Sequence, residues 1–187
     1  MTSYDNNLML VDMQNAQVPV LGFVAASGTG KTTLLAELIP ILKQNGLRIG
    51  LIKHSHHDFE IDQPGKDSFR LRKAGASSVM LVSRYRRAII TEFSPEKEPR
   101  LDDQLKQFDQ SELDLILVEG FRAEKFPKIE LHRPSLEKTL LYPNDPDIIA
   151  IATDAVLEEI PTNLMQLELN RPEMIAAFIQ NHVMKKP

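Results

Sequence analysis

AASGTGKT, residues 25–32 of the 187-residue chain, lies between one apolar run and another. Its last residues match the end of the phosphate-loop pattern, in which Gly, four residues and Gly-Lys are followed by Ser or Thr. Ala25 stands where the first glycine of that pattern belongs, a mild departure because alanine adds only one methyl group. The run 18–25 is typical of a strand buried on both faces, and 32–44 has the apolar spacing of a helix. This order favours a phosphate-binding loop over a turn that merely connects a strand to a helix.

The chemistry expected of this loop follows from its residue types. Its inner positions are Ser27, Gly28, Thr29 and Gly30. The glycines allow successive backbone N–H groups to turn inward toward phosphate oxygens, and the N-terminus of the following helix adds its positive end there. Lys31 is expected to reach the β- and γ-phosphates, and the Thr32 hydroxyl is expected to bind Mg²⁺.

Strand-like and helix-like segments alternate along the rest of the chain. The strand, loop, helix and strand of residues 18–53 form a βαβ unit, which implies parallel strands. A tight link at 84–86 joins two later strands as a hairpin. We therefore predict an α/β fold, a mostly parallel sheet with helices on both faces and an added β-hairpin. The predicted strands are 18–25, 48–53, 78–83, 87–91, 113–118, 128–132, 147–153 and 165–169, and the predicted helices are 32–44, 66–74, 100–108 and 172–184.

Length and composition indicate an ordinary globular protein. Residues 18–187 are predicted to form a single nucleotide-binding domain, after a flexible N-terminal extension at 1–17. The net charge of -4 disfavours a nucleic-acid or membrane-surface partner. No apolar segment approaches the roughly 20 residues that a membrane-spanning helix needs. The absence of cysteine excludes disulfides, and the N-terminus lacks the features of a secretory signal, so we expect a cytoplasmic location.

A phosphate loop that uses Mg²⁺ also needs an acidic residue nearby. In open α/β sheets ligands bind at the carboxyl ends of the strands. Glu119 follows the strand 113–118 at that end, whereas Asp114 lies at the opposite end, so Glu119 is the predicted metal residue. Asp67 is included in the predicted metal set; Asp58 is an alternative that the sequence does not separate from it, and Asp67 could instead cap a helix.

Two further positions are candidate ligand contacts. His54 begins the polar segment KHSHHDFEIDQPGKDS after the second strand. The spacing of its histidines does not match a metal-binding helical pair. The segment leaves the carboxyl end of the strand beside the phosphate loop, so we predict that His54 contacts phosphate or a second substrate; a solvated polar loop is the alternative. Asp154 ends the strand 147–153, where its carboxylate could accept the two N–H donors on one edge of guanine; a simple turn is the alternative.

Four segments together resemble one family. These segments are GFVAASGTGKTTLL, GLIKHSHHDFEIDQPGKDSFRLRKAGA, DLILVEGF and IIAIATD. In this order they are similar to the molybdopterin-guanine dinucleotide biosynthesis protein B family, MobB, from about residue 18 to residue 154. The long histidine-containing segment is the specific part, because many families share the phosphate loop. The VEG of the third segment is also similar to that of dethiobiotin synthetase, a related P-loop enzyme in which the Glu helps to hold Mg²⁺.

The resemblance implies a P-loop NTPase fold, a homodimer, and GTP and Mg²⁺ binding with weak hydrolysis. It extends the phosphate-binding set to Thr33 and matches Glu119 to the acidic end of the Walker B strand. Lys31 and Glu119 are the predicted catalytic residues. The implied partners are molybdopterin or its guanine dinucleotide and the molybdopterin guanylyltransferase that attaches GMP to molybdopterin, with this protein as an accessory. The alternatives are a small-molecule kinase or ligase that uses ATP, and a non-enzymatic carrier switched by nucleotide.

Overall fold

The computed structural model describes residues 13–55, 58–158 and 160–184. The described residues of Met1–His54 and Arg100–Pro187 form one compact unit, and those of Ser55–Pro99 form a second. Of the predicted flexible extension, residues 1–12 lie outside the described part of the chain. Within the remainder, the Asn15 side chain donates to Asp102 at 2.6 Å, and the Gln17 N–H donates to Gln110 at 2.9 Å.

The first unit is built on a six-stranded sheet in which every pairing is parallel. The strand order is β2-β5-β1-β6-β7-β8. In chain order, the elements of both units are β1 Val20–Ala25, α1 Lys31–Gln44, β2 Ile49–Lys53, α2 Asp67–Lys73, β3 Ser78–Val82, β4 Arg87–Thr91, α3 Leu101–Gln107, β5 Leu115–Glu119, β6 Lys128–His132, β7 Ile148–Thr153, β8 Met165–Glu168 and α4 Pro172–Phe178. A π-helical turn, Ile179–Val183, continues α4.

Helices cover both faces of this sheet. Successive side chains of its central strands point to opposite faces, so alternate residues enter different cores. On one face, Leu21 and Phe23 of β1 pack in a cluster with α1 and α4. On the other face, Val20 of β1 and Ile116 of β5 pack with Leu101 and Leu105 of α3. These apolar side chains are almost fully buried, which stabilises the sheet by the hydrophobic effect. The predicted α/β fold is therefore confirmed.

Helix α1 begins immediately after the glycine-rich loop. The side chains buried along it are Leu34, Leu35, Leu38 and Leu42. They recur at helical spacing and form the stripe that faces the sheet. The helix continues through Pro40 and ends before Gly46, whose φ of +87° suits a residue without a Cβ.

Two predicted segments differ from the structure for physical reasons. Strand β5 begins at Leu115, because Asp114 lies before the strand and accepts hydrogen bonds from Arg48. It extends to Glu119, which pairs with β1 and β2. The Arg48 hydrogen bond lowers the pKa of Asp114 to about 2. At the C-terminal end, the predicted single helix 172–184 is an α-helix, Pro172–Phe178, followed by a π-helical turn, Ile179–Val183.

The second unit contains α2 and an antiparallel hairpin of β3 and β4. Arg72 is buried and forms ion pairs with Glu60 and Glu92, so it is a structural residue of this unit. Met80 and Ile89, which are register partners in the hairpin, are both more than half exposed. In the described ranges, no helix has the length and apolar character needed to cross a membrane.

Candidate functional site

The glycine-rich loop connects the end of β1 to the start of α1. Gly28 and Gly30 have φ values of +82° and +102°, a left-handed conformation that glycine adopts without steric cost. Gly30 occupies the N-cap position of α1 and has no side chain to cap the first turn. The N–H groups that begin α1 therefore lack a side-chain cap and remain suited to an anion.

The side chains of the loop differ in what they offer to a ligand. Ser27, Thr32 and Thr33 are exposed. Thr29 is only 2% exposed, and its hydroxyl donates to the carbonyl oxygen of Ala26 at 2.8 Å. Because that hydroxyl is already engaged, Thr29 has its backbone to offer to a ligand.

Lys31 lies across this loop rather than along the helix surface. Its Nζ donates to the carbonyl oxygen of Ala25, the first residue of the loop, at 3.4 Å. At 3.4 Å this hydrogen bond is long, and such bonds contribute little to stability. The ammonium group thus lies at the loop without a strong structural role.

Glu119 ends β5, the strand between β1 and β2. It is the register partner of Phe23 in β1 and of Lys53 in β2. Its Oε2 lies 3.1 Å from the Nζ of Lys53, and its side chain is 13% exposed. The predicted metal carboxylate is therefore at the same edge of the sheet as the loop, hereafter the carboxyl edge, and is held by a lysine.

The turn after Glu119 is tightly built around His54. The His54 N–H donates to the carbonyl oxygen of Glu119 at 2.8 Å. Its ring stacks on Phe121 with the centroids 4.5 Å apart. Gly120 has a φ of +109°, and a Cβ built there would lie 2.6 Å from the Cβ of His54, so only glycine fits. Phe121 also has a positive φ, +51°, which is uncommon for a bulky residue. His54 is thereby fixed beside Glu119.

Asp154 follows β7 and forms an ion pair with Arg133, which follows β6. The same guanidinium donates to the carbonyl oxygen of Thr29 at 3.1 Å and to Asn170 at 3.0 Å. The sequence did not identify Arg133 as a site residue. Its only signal was its place immediately after a strand, at the edge where ligands bind. One oxygen of Asp154 is engaged by Arg133, and guanine binding by Asp154 stays a prediction.

Beneath this edge, β6 carries a buried polar row. Lys128, Glu130 and His132 are each less than a tenth exposed. The carboxylate of Glu130 accepts the backbone N–H groups of Leu141 and Tyr142 at 2.8 and 2.9 Å. Burial raises the pKa of Glu130, and these two hydrogen bonds oppose that shift. Glu130 thus anchors the backbone at residues 141 and 142.

The other predicted metal residue belongs to the second unit. Asp67 is the first residue of α2, is strongly exposed, and lies 3.7 Å from Arg70. No side-chain hydrogen bond caps α2, so the alternative capping function of Asp67 is not observed. Asp58 is also exposed in that unit. The metal assignment of Asp67 stays a prediction.

Histidines 56 and 57 lie outside the described residues. Among the residues that are described, no group of three or more His, Cys, Asp or Glu side chains is arranged to hold a metal ion. Mg²⁺ in phosphate-loop proteins takes few protein ligands and relies on the nucleotide for others, so this finding does not bear on the Thr32 and Glu119 pair.

The parallel sheet, the glycine-rich loop between β1 and α1, and the carboxylate at the end of the neighbouring strand define an α/β protein of the P-loop NTPase-like class. The family model described as "Molybdopterin guanine dinucleotide synthesis protein B" matches residues 20–154. This chain belongs to that family, MobB, and the resemblance noted in the sequence is confirmed.

Two curated relatives match almost the whole chain. A protein of Escherichia coli named "Molybdopterin-guanine dinucleotide biosynthesis adapter protein" is 45% identical over 177 residues, covering 90% of this chain and 95% of the relative. A protein of Haemophilus influenzae with the same name is 47% identical over 172 residues, covering 91% and 93%.

Solved structures agree in fold. One described as molybdopterin-guanine biosynthesis protein B aligns with a TM-score of 0.67 and 26% identity, covering 87% of this chain and 98% of that chain. The structure of Bacillus subtilis MobB aligns with a TM-score of 0.66 and 23% identity, covering 90% and 99%. At that identity the second match supports the fold alone.

Proposed function

We propose that this protein is an adapter of molybdopterin-guanine dinucleotide biosynthesis that holds GTP and Mg²⁺ at the phosphate loop and hydrolyses GTP slowly. The observation that carries the proposal is the loop at residues 25–32, which lies at the carboxyl edge and opens a helix whose first turn has no side-chain cap. Family membership adds the pathway, because close relatives carry the adapter name.

The triphosphate is assigned to the loop backbone and Lys31. The N–H groups of residues 27–33 and the positive end of α1 favour phosphate oxygens. Lys31 leaves its long contact with Ala25 and turns to the β- and γ-phosphates. Removal of Lys31 should abolish nucleotide binding, because its contact with the phosphates is lost. It should leave stability nearly unchanged, because Lys31 contributes little to the fold without nucleotide.

Mg²⁺ fits the residues at this edge. Thr32 presents an exposed hydroxyl in the first turn of α1, and Glu119 offers a carboxylate at the end of the adjacent strand. Both are hard oxygen groups of the kind that Mg²⁺ prefers. When bound, the ion neutralises charge on the β- and γ-phosphates. Lys53, which holds Glu119 without metal, is then free to face the phosphates.

Slow hydrolysis is expected because the arginine that contacts the loop is already engaged: Arg133 pairs with Asp154. Fast GTP hydrolysis requires a charge that stabilises the transition state and a group that orients water. Arg122, exposed in the turn after Glu119, is the candidate for the transition-state charge or for a phosphate of molybdopterin.

The proposed partners are molybdopterin or its guanine dinucleotide and the molybdopterin guanylyltransferase, in the cytoplasm. A homodimer is also proposed. Its support is the apolar side chains that the hairpin exposes, among them Met80, Val82, Tyr85 and Ile89. Exposed apolar surface of this kind is typical of protein contact sites.

The adapter proposal is tested by measuring binding of this protein to the guanylyltransferase without nucleotide, with GDP, and with a non-hydrolysable GTP analogue and Mg²⁺. We expect tighter binding with the analogue, and no nucleotide effect in Lys31→Ala. Lys43→Ala, an exposed lysine near the other end of α1, is the matched control and should behave like the wild type. Equal affinity in all nucleotide states would contradict nucleotide-dependent adapter action.

A further inference from the structure

Arg133 connects three parts of the carboxyl edge through one guanidinium group. Its Nε donates to the carbonyl oxygen of Thr29 at 3.1 Å, in the phosphate loop. One terminal nitrogen pairs with Asp154 after β7, and the other donates to Asn170 after β8 at 3.0 Å. The planar guanidinium presents its donors in a fixed geometry, so three acceptors together determine its orientation.

The contact with Thr29 also determines the direction of the next N–H group. The peptide unit is planar and trans, so its C=O and N–H point in opposite directions. Holding the Thr29 carbonyl against Arg133 therefore directs the Gly30 N–H away from Arg133. A peptide next to a glycine rotates easily, because glycine occupies left-handed and right-handed conformations at similar cost. The Thr29–Gly30 peptide thus needs an external hold if its N–H is to keep one direction.

The charge of Arg133 indicates how it acts. The Arg133 side chain is 29% exposed, and its guanidinium is paired with the Asp154 carboxylate, which offsets its positive charge. Its hydrogen bond to the loop goes to the carbonyl oxygen of Thr29. An arginine placed to attract phosphate directly would present unpaired N–H groups to the ligand. Here the three nitrogen atoms instead face protein oxygens.

We propose that Arg133 is a positioning residue that holds the Thr29–Gly30 peptide so that the Gly30 N–H faces bound phosphate. The inference rests on the proposed function only in that the loop binds phosphate; it requires neither guanine nor an adapter partner. Asp154 and Asn170 support it by fixing the guanidinium.

The test is calorimetric titration with inorganic pyrophosphate and with a non-hydrolysable GTP analogue, both with Mg²⁺. We expect Arg133→Met to weaken the binding of both ligands about tenfold, because one preorganised phosphate contact is lost. Arg133→Lys keeps the charge but cannot span three acceptors, so it should weaken binding of both ligands by a similar factor.

Asn170→Ala removes an exposed side chain and leaves the Thr29 contact in place, so it should weaken binding of both ligands less. Arg48→Met is the matched control, since Arg48 bonds Asp114 and Glu112 at the opposite edge.

A second readout separates positioning from general stability. In amide NMR spectra, pyrophosphate should shift the Gly30 N–H resonance of the wild type strongly and that of Arg133→Lys weakly. If the wild type binds pyrophosphate and both Arg133 variants bind it equally well, the positioning role is wrong and the proposed function stands. If the wild type binds neither ligand, both the positioning role of Arg133 and the proposed function are wrong.

Discussion

The Nζ of Lys53 lies 3.1 Å from the Oε2 of Glu119, and the two residues are register partners at the carboxyl ends of β2 and β5. The lysine is more than half exposed, whereas the carboxylate is 13% exposed. Without metal, the carboxylate is thus neutralised by a side chain that is able to move. The proposed function implies that bound Mg²⁺ replaces Lys53 as the partner of Glu119.

Replacement of Glu119 by Gln should affect the metal-dependent part of nucleotide binding. The amide keeps the size of the side chain but loses the charge that Mg²⁺ and Lys53 share. We expect the gain in GTP-analogue affinity on adding Mg²⁺ to fall about 10- to 100-fold. Calorimetric titration with and without Mg²⁺ measures this gain. Glu112→Gln, at an exposed carboxylate that pairs with Arg48, is the control, and equal losses with and without Mg²⁺ would remove Glu119 from the metal site.

Gly120→Ala should destabilise the first unit more than a glycine replacement elsewhere. The new Cβ would meet the Cβ of His54 at 2.6 Å, and the φ of +109° is unfavourable for alanine. We expect a loss of about 1–3 kcal/mol in the free energy of unfolding, measured by urea denaturation. Gly46→Ala has a similar φ, +87°, and no atom within 4 Å, so it isolates the backbone strain. Equal losses in the two variants would show that His54 moves aside freely.

Glu130→Gln should change the pH dependence of stability. Burial raises the pKa of Glu130 in the folded state above the ordinary value of 4.5. A raised pKa contributes stability that is fully present below the unfolded-state value and is lost as pH rises through the folded-state value. From pH 4.5 upward, the wild type should therefore lose stability relative to Glu130→Gln. Urea denaturation at pH 4 and pH 7 measures the difference, with Glu37→Gln on the exposed side of α1 as the control. A constant difference between wild type and Glu130→Gln would contradict this assignment.

The proposed homodimer should depend on the exposed face of the hairpin. Met80 and Ile89 are register partners, 55% and 53% exposed. Replacing both by Lys places two like charges side by side on that face, and we expect the protein to sediment as a monomer. Val156→Lys, at an 87% exposed residue of the first unit, should leave the sedimentation unchanged. A double variant that remains dimeric would place the interface elsewhere.

Much of the fold was predictable because it depends on local patterns. The buried runs that became β1, β5 and β7 and the helical spacing of α1 are carried by consecutive residues. The ends of elements were less predictable, because they depend on distant partners. Asp114 remains outside β5 because of Arg48, a residue 66 positions earlier.

The candidate site was predictable where a motif carries it, and not where folding brings distant residues together. The loop and Glu119 were identified from spacing and from the end of a strand. Arg133 was missed because its contact with Thr29 joins residues 104 positions apart. The pairing of Asp154 with Arg133 was likewise invisible, since it depends on the register of β6 against β7.

GTP binding at the loop of residues 25–32 is tested most directly by calorimetric titration of the protein with a non-hydrolysable GTP analogue and its ATP counterpart in the presence of Mg²⁺. The proposed function predicts clear preference for the guanine analogue, loss of binding in Lys31→Ala with unchanged thermal unfolding, and weaker base preference in Asp154→Asn. Preference for the ATP analogue would contradict the guanine assignment and favour a small-molecule kinase or ligase. Binding of neither analogue would contradict nucleotide binding at the loop altogether.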